Sequence, residues 1–169
     1  CYNSCPKSAI VMKTDEKGFF YPDIDKNKCI DCGLCERICP ILKNEKHYDK
    51  PDAYIVRYKN ASIVKQSTSG GMFTALAMYV FDHSGVVYGA GYDDSMNVIC
   101  KRAIKKEQLQ EMRGSKFVQS DPSNAFKEVK RDLEKGRMVL YTGTPCQISG
   151  LLAYLKTRPQ NLICMDFVC

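Results

Sequence analysis

The apolar positions of this chain fall into short blocks divided by polar turns, and the period within each block predicts its element. Residues 9–14 and 19–21 are apolar runs flanking Asp15-Glu16-Lys17-Gly18, which predicts a β-hairpin turning at the glycine. Residues 43–51 are polar and aperiodic, which predicts a linker, with a second unit opening near Asp52. Within that unit, 53–58 predicts a strand, Lys59-Asn60 a turn and 62–65 a second short strand. Over 72–81 the apolar residues Phe73, Leu76, Ala77 and Val80 return at helical spacing. Residues 86–92 and 97–100 predict buried strands around an Asp-Asp-Ser turn, with Cys100 in the core. A short helix over 105–112 stops at Gly114, and 114–120 leads into another strand. The helix predicted over 123–134 takes Ser123 as its cap, places Phe126, Val129 and Leu133 on one face and stops at Gly136. A strand over 137–141, a tight turn over 143–147, a helix over 148–155 and a strand over 161–168 complete the pattern. Strands alternating with helices imply a largely parallel sheet with helices packed against it, an α/β domain.

The N-terminal stretch carries a different signal. Cys29, Cys32, Cys35 and Cys39, followed by Pro40, have the spacing of a bacterial ferredoxin cluster loop. Three thiolates this close reach three iron corners of one cubane only if the backbone wraps around it, and Gly33 permits that approach. In this motif the fourth cysteine ligates the other cluster of a two-cluster module. Upstream, Cys1-Tyr2-Asn3-Ser4-Cys5-Pro6 reads as the last two cysteines and the proline of a second copy. Crossing the fourth ligands gives one complete 4Fe-4S set, Cys5, Cys29, Cys32 and Cys35, and half of a second, Cys1 and Cys39. Zinc sites use two pairs of ligands, and disulfide frameworks suit small secreted domains; neither explains a repeated loop with proline after each fourth cysteine. The sequence predicts an α+β two-cluster ferredoxin-like module over 1–42, a linker over 43–51 and an α/β domain over 52–169, cut inside a motif at the N-terminus.

Composition narrows the setting. Ten cysteines without a signal peptide or a long apolar run predict a reducing, cytoplasmic location and no membrane span. The formal charge of +6 comes from dispersed lysines, and thiolate-ligated clusters offset it, so nucleic acid is not the expected partner. The basicity suits anionic cofactors or acidic redox partners. Ser67-Thr68-Ser69-Gly70-Gly71 opens the helix over 72–81, and such a start suits a phosphate, or is an ordinary cap by Ser67 or Ser69.

Ser69-Gly70-Gly71, Gly114-Ser115-Lys116-Phe117-Val118-Gln119-Ser120 and Gly143-Thr144-Pro145-Cys146-Gln147, in that order behind paired cluster loops, resemble the coenzyme F420 hydrogenase/dehydrogenase beta-subunit family. The resemblance covers essentially the whole chain. It implies an oxidoreductase whose α/β domain binds FAD and passes electrons between 4Fe-4S clusters and a diffusible two-electron carrier, deazaflavin F420 or a nicotinamide. It also implies a redox partner protein or subunit, and a family C-terminal region beyond Cys169 that this sequence lacks. On the same resemblance Ser69, Gly70 and Gly71 are expected to meet the flavin phosphates, Lys116 to be their counter-charge, and Gly143 and Thr144 to lie near the cofactor. The contrasting reading is a ferredoxin-like relay or interaction module without its own flavin.

Two further cysteines stand outside the ferredoxin module. Cys146 falls at a predicted helix N-terminus, where dipole and amides favour a metal-binding thiolate, and Cys169 ends the next predicted strand. In a parallel α/β unit both positions fall at the carboxyl edge of the sheet. With a later cysteine pair that the family supplies, they are expected to form half of a third 4Fe-4S site; otherwise Cys146 is a candidate nucleophilic or redox-active residue and Cys169 is buried.

Overall fold

A computed structural model of the chain describes residues 1–42 and 51–167. The N-terminal part opens with a 3-10 turn, Tyr2–Ser4, and the predicted hairpin follows as β1 (Ile10–Thr14) paired antiparallel with β2 (Phe20–Ile24). Asp15 shapes the turn by accepting hydrogen bonds from the Lys17 and Phe19 amides, and Gly18 supplies the left-handed residue at φ 84°. A one-turn helix, α1 (Leu34–Arg37), and a 3-10 turn, Pro40–Leu42, close this part.

The larger part is a four-stranded sheet sandwiched between helices. Its strands are β3 (Val86–Tyr92), β4 (Val98–Ala103), β5 (Val139–Gly143) and β6 (Leu162–Asp166), in the order β4-β3-β5-β6. The β3–β5 and β5–β6 pairings are parallel, as the alternation of elements predicted. β4 runs antiparallel on the edge because a tight turn joins it to β3, in which the Asp93 carboxylate accepts from the Ser95 and Asn97 amides. Helices α3 (Met72–Asp82) and α4 (Leu109–Met112) cover one face, and α5 (Ala125–Glu134) and α6 (Pro145–Leu155) the other.

The period of two along the strands sorts the core into two layers. Val86, Tyr88, Val139 and Tyr141 pack with Phe126, Val129, Leu133 and Leu151 of α5 and α6, whereas Val87 and Leu140 pack with Ala77, Val80, Leu109 and Met112. Each such side chain taken from water contributes roughly 1.5–3 kcal/mol. One polar cluster interrupts the first layer: Asp132 accepts from the Tyr88 hydroxyl at 2.7 Å and from Arg102 at 2.8 and 3.0 Å.

Four sequence expectations fail locally. Residues 53–58 form no strand; they are irregular and largely exposed, held by a hydrogen bond from the Tyr58 amide to the Gly70 carbonyl. The apolar pattern there suits a strand, but without a partner strand the ladder is not made. Residues 62–65 belong to a helix, α2 (Ala61–Lys65), because the Asn60 side chain accepts from the Ser62 and Ile63 amides and this cap outweighs the β-preference of Ile63 and Val64. The stretch 114–120 leads only to a single bridge between Asp121 and Ile99, not to a strand. Ser123 is not the cap of α5: it sits at φ 46°, and Asn124 takes the cap position.

Candidate metal centre and cofactor edge

The cluster loop follows β2 directly. The Cys29 amide donates to the Asp25 carbonyl, and Asp31 (φ 49°) and Gly33 (φ 64°) are both left-handed, which coils the backbone between Cys29 and Cys35. A Cβ built on Gly33 meets only the Arg37 guanidinium at 3.6 Å, so its backbone angle, not crowding, is what favours glycine. Cys29 and Cys32 are exposed and Cys35 is half-buried in α1. Cys5 is half-buried, and its sulfur accepts a hydrogen bond from the Ala9 amide at 3.2 Å, which holds its pKa below the ordinary thiol value. An amide aimed at sulfur is the outer-shell support a ligating thiolate uses.

The two halves of the module face each other. The Tyr2–Ser4 turn between Cys1 and Cys5 packs against α1, which carries Cys35. Every described cysteine is a free thiol, and among the described residues no three Cys, His, Asp or Glu side chains gather closely enough for a single metal ion. A cubane takes each thiolate on a separate corner iron, and free cysteines at this spacing are the donor chemistry it uses. Of the hairpin aromatics, Phe19 is 53% and Tyr21 58% exposed.

The α/β part collects its polar groups at the carboxyl edge of the parallel strands. α3 and α6 both begin there, α6 immediately after β5 and α3 with its chain running antiparallel to the strand it precedes. Arg113 lies across the start of α3, donating to Thr74 Oγ1 at 3.2 Å and Gln66 Oε1 at 2.9 Å. Lys116 Nζ donates to the Glu111 and Arg113 carbonyls and sits 6.0 Å from the centre of the Tyr92 ring at the end of β3. Partial burial lowers the Lys116 pKa. At the start of α6 the Thr144 amide donates to Gln147 Oε1 at 3.0 Å, and Gln147 Nε2 reaches the Ser120 hydroxyl at 2.8 Å. The stretch 113–120 thus runs along this edge from the start of α3, which Arg113 meets, to the start of α6, which Ser120 meets.

Individual residues differ from their expected roles. Neither Ser67 nor Ser69 caps α3; Gly71 holds that position at φ 79°, and Ser67 Oγ bonds back to the Ile63 carbonyl. Gly70 makes room for protein: a Cβ there would lie 2.3 Å from the Val56 carbonyl oxygen. Cys146 is exposed, its sulfur 3.0 Å from Thr144 Oγ1, while Cys169 lies outside the described residues. Cys100 is half-buried and packs against the core, not within it, with burial pushing its thiol up to about 12. The sequence reading passed over Arg113, the cation at the α3 start; its position two residues from Ser115 in a glycine-marked loop was the available signal.

The module is fastened to this edge. The single Tyr2 hydroxyl proton is shared between Asp121 Oδ1 at 2.8 Å and the Ser123 carbonyl at 2.6 Å, and Asn3 Nδ2 donates to the same carbonyl at 2.9 Å. The Phe20 amide of β2 donates to Gln119 Oε1 at 2.9 Å. Asp121 pairs with β4 beside Val98, at the end where β3 finishes, so the Cys1–Cys5 loop is held at the same rim.

Comparison with known proteins bears on the cysteine loops first. Residues 1–41 match the 4Fe-4S dicluster domain family. This part of the chain is an iron-sulfur electron-transfer module. The "Uncharacterized protein MJ1349" of Methanocaldococcus jannaschii is 28% identical over 138 residues, 76% of this chain and 38% of the relative. This chain therefore spans well under half of that relative's length. A chain of the xenon-derivatised F420-reducing NiFe hydrogenase complex from Methanosarcina barkeri superposes with a TM-score of 0.46 at 26% identity, over 56% of this chain and 35% of that one. Among the described residues no helix is long and apolar enough to cross a membrane.

Proposed function

We propose that the chain is the iron-sulfur and flavin-binding portion of a cytoplasmic oxidoreductase, passing electrons between 4Fe-4S clusters and FAD and coupled to a two-electron carrier such as deazaflavin F420 or a nicotinamide. Cys5, Cys29, Cys32 and Cys35 hold one cluster, and Cys1 and Cys39 contribute to a second. The observation that carries the reading is the fastening of the Cys1–Cys5 loop, through Tyr2 and Asn3, to the rim where α3 and α6 begin. Helix starts present unpaired amides and positive dipole ends, which suits the pyrophosphate of a dinucleotide. Bound there, a flavin exchanges two electrons with a carrier and single electrons with a cluster.

The protein's own part is positional. Backbone amides at Ser69, Gly70 and Gly71 receive the cofactor, Gly143 and Thr144 lie beside it with the Thr144 amide held by Gln147, and Lys116 and Arg113 offset its negative charge. Anaerobic purification of the full chain followed by iron and flavin analysis tests the reading. Stoichiometric zinc without iron would sink it, and iron without flavin would leave only the relay. Lys116→Ala is expected to weaken flavin retention severalfold, read by the flavin remaining after gel filtration; unchanged retention would remove Lys116 from the site.

A further inference from the structure

α6 has two ends, and its C-terminal end faces away from the flavin rim. There a groove of about 650 Å³ opens between α1 and the residues that follow α6. Leu34 and Ile38 from the cluster module and Leu152 from α6 form an apolar floor, and Arg37, Lys156 and Arg158 stand around it. Among the described residues its lining has three cations and no carboxylate.

We propose that this groove is the docking surface for an acidic electron-carrier protein of the ferredoxin class. This rests on the iron-sulfur assignment and is independent of the flavin. An apolar centre ringed by charged groups is the anatomy of a transient protein interface, and a basic ring steers an acidic partner. A small anion is the less suitable occupant, because the groove lies at the C-terminal end of α6, where the helix dipole repels a localised negative charge. Location adds the functional argument. Leu34 and Arg37 bracket Cys35, a ligand of the complete cluster, so a partner seated here stands against the cluster module. The step is the transfer of one electron from the partner's reduced cluster, which is thereby oxidised, to the cluster of this chain, with no bond or proton moved.

The test uses the full chain with iron content measured first, and an acidic two-cluster bacterial ferredoxin as probe. Binding of the oxidised probe is measured by calorimetry, and electron transfer from the reduced probe by stopped flow. Lys156→Glu combined with Arg158→Glu changes only the α6 side of the groove and leaves every proposed cluster ligand in place. Binding and transfer rate are expected to fall by about tenfold or more in this variant, and wild-type binding is expected to weaken with added salt. Lys130→Glu combined with Lys135→Glu, the same charge change on exposed positions in and just after α5, is expected to stay within about twofold of wild type. Equal binding by wild type and the groove variant, with iron normal in both, overturns the docking proposal alone. A wild-type chain without iron overturns it together with the cluster assignment.

Discussion

At the scale of single residues, Asp132 shows how burial and pairing compete. Burial pushes its carboxyl pKa up, but hydrogen bonds from Arg102 and Tyr88 outweigh this and hold it below its ordinary value of 3.8. A depressed folded-state pKa adds stability that is present above the unfolded value and lost as pH falls through the folded one. The wild-type chain is therefore expected to lose stability below about pH 4 more steeply than Asp132→Asn, in urea titrations across that range. Removing the carboxylate outright, in Asp132→Ala, leaves Arg102 and the Tyr88 hydroxyl without their partner and is expected to cost about 3 kcal/mol. A loss below about 1 kcal/mol would show that water replaces the carboxylate without penalty.

At the scale of elements, glycines with different reasons for being glycine respond differently. Gly18 in the hairpin turn has open space around it, so Gly18→Ala meets only the cost of its left-handed backbone, about 1 kcal/mol. Gly70, before α3, faces the Val56 carbonyl, and Gly70→Ala must displace residues 56–58 at a cost of about 2–3 kcal/mol. Comparing both variants by chemical denaturation, with hydrogen exchange at the Tyr58 amide, separates the two. Protection at Tyr58 unchanged in Gly70→Ala would show that the segment is not held there. The same pairing explains why the apolar run at 53–58 misleads: its partner is a glycine loop, not a strand. α2 misleads for a related reason, since one asparagine side chain decides between helix and strand in a segment too short for periodicity to speak.

At the scale of the whole molecule, the attachment of the cluster module to the α/β part rests on few hydrogen bonds. Tyr2→Phe removes the one donor that Asp121 and the Ser123 carbonyl share, while Asp121 keeps the Ser123 amide and the Ser123 carbonyl keeps Asn3. The expected cost is about 1 kcal/mol, and adding Asn3→Ala should raise it to about 2 kcal/mol. Hydrogen exchange at residues 2–5 and 121–125 is expected to quicken together in the double variant, with iron content unchanged. Exchange that quickens at only one of these segments would refute the fastening.

What the sequence by itself determined is local or strictly periodic. The cysteine spacing, the hairpin with its glycine, and the strands and helices from Val86 to Asp166 all follow from neighbours in the chain or from alternation against a buried sheet. These signals survive because a one-residue slip would turn Val86, Tyr88, Val139 and Tyr141 out of the core. Only the tertiary structure decided that Gln147 meets Ser120, that Arg113 crosses to Thr74, and that Tyr2 reaches Asp121, 119 positions away. Each is a hydrogen bond between residues whose types favour many partners equally, so nothing in the local pattern selects one. The packing of helices on the sheet brings them within reach, and it is that packing which turns three separate motifs and a cysteine loop into one rim.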